Sequence, residues 1–114
     1  MAEASEAVDL EALAEEMLEQ ARGSGSGRLT RLFRAVPGGS LSQILLVLLE
    51  GRELSEHENP GQALLHTLRG RTELIAGDQR WELPAHSHIV IPEVRHSLVA
   101  LEDSVVLLTV VRGD

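Results

Sequence analysis

The spacing of hydrophobic and polar positions changes once along this chain. Leu10, Leu13, Ala14, Met17 and Ala21 recur three and four residues apart among Ala, Glu and Gln, the pattern of a single apolar stripe on an α-helix. Ser5 or Asp9 is placed to cap it. Gly23-Ser24-Gly25-Ser26-Gly27 then ends the helix, and its lack of side chains predicts a flexible linker. Phosphate-cradling glycines lead from a strand into a helix; here a helix comes before and a strand-like run after, so a phosphate loop is not the reading.

From Arg28 onward the period shortens to that of strands. β-rich runs at 28–36, 42–49, 53–57, 63–69, 72–75, 79–83, 88–91, 97–101 and 105–111 alternate with turn residues such as Pro37-Gly38-Gly39-Ser40, Asn59-Pro60-Gly61 and Gly77-Asp78. No helical stretch separates them, which predicts an all-β body, an antiparallel sandwich or barrel, rather than strand-helix-strand units. The chain is long enough for one domain, read as a helical extension with its linker over 1–27 and the β body over 28–114. Two runs, 44–49 and 105–111, do not alternate, so both of their faces should be covered. A small barrel covers one face. The other is expected against a second subunit or the N-terminal helix, which makes a homodimer through a sheet face the economical arrangement, the helix reaching across the linker to the partner.

Charge sharpens this division. Of 18 acids and 10 bases, all Arg, seven acids and one Arg lie in residues 1–22, a net of −6 out of a total of −8. An acidic arm is therefore attached to a nearly neutral body. Without a basic cluster the chain is not expected to bind nucleic acid. Its apolar runs fall far short of the roughly 20 residues of a membrane-spanning helix. The acidic start lacks the basic and apolar regions of a secretory leader, so a cytoplasmic location is expected. With no Cys, metal chemistry is left to His, carboxylates and weaker oxygen ligands.

Candidate chemistry centres on the histidines. His57 and Asn59, two apart on a strand, share a face; the same parity through Gly61, Ala63, Leu65 and Thr67 makes a small apolar inner wall, with Leu64, His66 and Leu68 facing outward. His86-Ser87-His88 is a second pair at the entrance to a strand, readable as turn chemistry, as a separate metal site or as the completion of the first. Ser97 faces away from His96 by alternation, so the two do not form a nucleophile-base pair. Glu102-Asp103 falls where a solvated hairpin turn belongs.

The stretch from Gly51 through His57, Asn59 and Ala63 to Gly70 resembles the first motif of the cupins: Gly, about five residues, His-x-His, three or four residues, Glu, six residues, Gly. The stretch from His86 through Pro92 to His96 resembles their second motif, with His86 in the usual Gly position and the turn before His96 one residue short. The resemblance spans residues of about 28–112 and implies a double-stranded β-helix, or jelly-roll, barrel. In metal-binding cupins two His and a Glu of the first motif and the His of the second meet one ion. Here His57 and His96 match, while Asn59 and Ala63 stand where the second His and the Glu would be. The resemblance thus implies a pocket of His57, Asn59, Ala63 and His96. Its histidines are either hydrogen-bonded pocket groups or, as His57 and His96, holders of a weakly bound divalent Fe, Mn, Ni or Zn. The implied function is small-molecule binding in the barrel. The alternatives are a metal-dependent oxygenase or isomerase, and a sensor or structural module without catalysis.

Overall fold

A computed structural model describes residues 6–57 and 62–111. All nine expected runs are strands, each within one residue of its expected bounds: β1 (Arg28–Ala35), β2 (Leu41–Leu48), β3 (Glu53–His57), β4 (Gln62–Arg69), β5 (Arg71–Ala76), β6 (Gln79–Pro84), β7 (His88–Val90), β8 (His96–Ala100) and β9 (Ser104–Val111). They form two antiparallel sheets, ordered β1-β2-β9-β4-β7 and β3-β8-β5-β6. The inner faces meet in one apolar core that includes Leu46, Leu65 and Val106 from the first sheet and Leu74, Leu83 and Leu98 from the second. This is an all-β jelly-roll barrel with an N-terminal helix.

Strand β4 keeps the alternation expected of it. Ala63, Leu65 and Thr67 are buried inward, while Leu64 is exposed and His66 half-buried on the outside. At its end, Gly70 turns the chain at φ 78°, a region costly for any residue with a Cβ. A Cβ there would stand 2.3 Å from the Asp103 carbonyl oxygen and 2.5 Å from Ser104 Oγ. Buried Ser104 uses that close approach: its hydroxyl donates to the carbonyls of Arg71 (3.1 Å) and Glu102 (2.8 Å) and accepts from the Arg71 N–H (3.0 Å). The β4–β5 turn is thereby fastened to the start of β9.

Helix α1 (Leu10–Arg22) is capped by Asp9, whose Oδ1 accepts the Ala12 N–H at 3.1 Å. The other cap candidate, Ser5, lies outside the described residues. Ala14, Met17, Leu18 and Ala21 are buried against Phe33, Leu45, Val47 and Val105 on the outer face of β1, β2 and β9. The two non-alternating runs are thus explained within one chain: Leu46, Leu48 and Val106 fill the barrel while Leu45, Val47 and Val105 seat the helix. Of the two seats the sequence leaves open, its own body or a second subunit, the helix takes its own, and a second subunit is not needed to cover those runs. The Gly-Ser segment also differs from the free linker expected of it. Ser24 Oγ donates to the Ala21 carbonyl at 2.9 Å and accepts the Gly27 N–H at 3.3 Å, and the Gly27 carbonyl accepts from Leu49 N–H at 2.9 Å. Hydroxyls replace the missing packing, and the segment becomes a tight turn delivering the helix onto its own sheet.

Exposed ion pairs align the helix: Arg69 with Glu15, Arg31 with Glu16 and Arg22 with Asp103. The Arg69 guanidinium, through its hydrogen bond and its charge, holds the Glu15 carboxyl below its ordinary value. No helix among the described residues is long and apolar enough to cross a membrane.

Candidate functional site

His96 opens β8 directly after the Pro92-to-Arg95 turn and is 2% exposed. Its Nδ1 lies 2.7 Å from the Val94 carbonyl oxygen. A carbonyl only accepts, so Nδ1 carries a proton in this contact. The chamber around it is apolar, walled by residues such as Leu54, Ala63, Leu74, Leu98 and Val110, and encloses about 50 Å³. That holds a few water molecules and no metabolite. The barrel is largely filled by its own side chains.

The backbone register sets His57 of β3 opposite His96 of β8. It does so through an irregularity: Leu54 pairs with Leu98, three residues before His57 on β3 but two after His96 on β8, so β3 carries one extra residue. Without that bulge Glu56 would oppose His96. Asn59 lies outside the described residues. Ala63, 5% exposed, lines the chamber, as its place on the inner wall requires.

The larger concavity is not the one that holds the histidine. A cleft of about 640 Å³ opens at the rim, bordered by Leu41, Gln62, Leu64, Val90, Glu93 and Thr109, and it shares Ala63 and Ile91 with the chamber. Its volume is that of a small-molecule site, whereas the polar anchor is inside. Ala63 and Ile91 border both.

No protein-family model and no curated protein matches the sequence. Solved structures do. A conserved protein of unknown function from Streptococcus pyogenes superposes with a TM-score of 0.73 at 23% identity, over 99% of this chain and 92% of its own. A cupin superfamily protein from Desulfitobacterium hafniense DCB-2 superposes with a TM-score of 0.68 at 20% identity, over 75% of this chain and 78% of its own. The chain has the cupin fold. The DMSP lyase DddQ from Ruegeria pomeroyi DSS-3 shares it, with a TM-score of 0.63 at 18% identity over 76% of this chain and 47% of that one. The streptococcal match takes in α1 as well as the barrel.

The donor set of this cupin barrel can be compared with what a metal requires. A divalent transition metal normally takes at least three strong protein ligands. The described residues lining the chamber offer one imidazole, His96, and no carboxylate, since the position of the first motif's Glu is the methyl of Ala63. Counting His57 gives two. Among the described residues this set does not fit a metal centre.

His86 and His88 do not join His96. They lie on the outer face of the first sheet, where the fold brings them to His66. Alternation had placed His66 on the exterior by itself; the missing information was that β7 returns to pair with β4 across the intervening β5 and β6.

Proposed function

We propose that this cupin binds a small, mostly apolar molecule carrying one hydrogen-bonding group. Its body occupies the rim cleft and the polar group passes Ala63 and Ile91 toward His96. The observation that carries this reading is the buried His96 imidazole, held by the Val94 carbonyl in an otherwise apolar chamber that shares Ala63 and Ile91 with a ligand-sized cleft. His57, opposed to His96 in register, and Asn59, two residues on, complete the proposed pocket with Ala63.

The single titratable side chain among the described chamber-lining residues supports binding over turnover, because acid-base catalysis usually divides its roles between positioned groups. That favours a sensor or carrier over a metal-dependent oxygenase or isomerase. Homodimerisation belongs to the same proposal: Leu41, Leu64 and Val90, exposed at 42%, 37% and 66% on the part of the outer face that α1 leaves uncovered, also border the cleft, which would then lie at the seam between two subunits.

The test is a thermal-shift screen of small alcohols, amines, phenols and carboxylic acids against wild-type protein, His96→Ala and Ala63→Leu. A true ligand at about 100 times its Kd stabilises the wild type by about 2.7 kcal/mol, and both variants should abolish the shift, one by removing the anchor and one by crowding the wall that chamber and cleft share. Ligands whose stabilisation survives both substitutions refute the site. So does a library that stabilises nothing.

A further inference from the structure

A cluster of imidazoles outside the barrel has no part in the reading above. His66 of β4 and His88 of β7 are directly opposed in the antiparallel register, and such a pair shares one face of a sheet. That face is the outer one, since Leu65 and Thr67 on either side of His66 are buried inward. His86 brings a third ring. The His66 centroid lies 6.4 Å from that of His86 and 6.2 Å from that of His88, edge-on in both cases.

The backbone at His86 is costly. The turn from Pro84 to Ser87 is closed by the Ser87 N–H on the Pro84 carbonyl at 3.0 Å, and its third residue, His86, has φ 72°. Among the described residues every other positive φ belongs to Gly, the usual occupant of this turn position. The fold nonetheless keeps the turn on β4, with the His86 N–H on the Thr67 carbonyl at 2.6 Å and the Thr67 N–H on the Ser87 carbonyl at 3.0 Å. This turn holds the His86 side chain over β4, on the side of His66.

We propose that His66, His86 and His88 bind one divalent transition metal ion of the class imidazole favours, zinc, nickel or copper, with the fourth position open to water. Bonds of about 2.0–2.1 Å to one tetrahedral ion hold imidazole centroids roughly 5 Å apart, so His86 and His88 must each close on His66 by about 1 Å and swing toward one another to the same separation. For that reason no three donors yet converge among the described residues. His86 and His88 are exposed and half-buried His66 sits between them, so rotation of two solvent-facing side chains makes the closure without disturbing the core. Glu11 of α1 borders the same cavity of about 120 Å³ as His86.

The experiment is calorimetric titration of the EDTA-stripped full chain with ZnCl2 and NiCl2. Wild type should bind one ion per chain. His88→Thr, and His86→Asn, which tolerates positive φ, should each weaken it about 100-fold or more. His96→Ala should bind like wild type, which separates this site from the barrel. His86→Gly should lose the metal while melting at the same temperature or higher, a pairing that a purely structural turn residue does not give. Absence of binding tighter than millimolar overturns the proposal, as does affinity unchanged in His86→Asn and His88→Thr, or lost in His96→Ala.

Discussion

Met17→Ala tests how this chain holds its helix. Met17 is 0% exposed, between α1 and the outer sheet face formed by Phe33, Leu45, Val47 and Val105. Burying a side chain of this size contributes about 1.5–3 kcal/mol, and truncation to Ala adds the void left behind, for a usual total of about 2–5 kcal/mol. The helix cannot sink freely into that void, because it is tied at one end by the Ser24 and Gly27 hydrogen bonds and preceded by Glu6, whose carbonyl accepts from Arg34 Nη2. A loss near 3 kcal/mol is expected. With an unfolding entropy of about 2.1 cal/mol/K per residue, that lowers the melting temperature by roughly 12 °C. The assay is circular-dichroism melting at two protein concentrations tenfold apart, with exposed Glu19→Ala as a control expected to change stability by less than about 0.5 kcal/mol. The reasoning is refuted by a loss below about 1 kcal/mol, or by one that depends on concentration, since a helix seated on another chain would show mass action.

Gly70→Ala combines left-handed backbone with a Cβ 2.3 Å from the Asp103 carbonyl, so a loss of at least about 3 kcal/mol, read by urea unfolding, is expected; a loss under about 1 kcal/mol contradicts the interlock with Ser104. Arg69 lowers the Glu15 carboxyl, so the pair stabilises above the ordinary value of 4.5 and loses that contribution as pH falls through the lowered one. Glu15→Gln should therefore melt below wild type at neutral pH, with the gap closing in acid; a gap that persists at about pH 2 rules the ion pair out as its source. Val90→Glu places a charge on the most exposed part of the uncovered sheet face and should shift sedimentation toward monomer. Wild type that is already monomeric at high concentration disposes of the dimer.

The strands were legible because each short apolar run is bounded by residues that favour turns, and β4 alternates because only one of its faces meets the barrel core. The seat of α1 was not legible. A stripe of Leu, Ala and Met fits a partner's sheet as well as its own, and the choice rests on hydroxyls in a segment whose composition reads as free chain. Within the site, spacing placed Ala63 on the inner wall and the register aligned His57 with His96, but only through an extra residue in β3 that no pattern announces. Chamber volume was out of reach, being set by how completely Leu65, Leu74 and Leu98 fill the space. His66, His86 and His88 meet only because two strands far apart in the chain pair.

The position of β9 bears on how this protein comes to be folded. Strands β2 and β4 do not touch each other; β9 lies between them, and it is the last strand in chain order. A ribosome delivers the chain N-terminal end first. Helix, hairpins and the whole second sheet are therefore synthesised while the first sheet is still two separate pieces, with open edges on β2 and β4 and no Val105 under the helix. Pairing across such long separations is slow, and unpaired edges invite other chains. The first sheet and the helix seat are therefore completed only once β9, with Val105 and Ser104, has been synthesised.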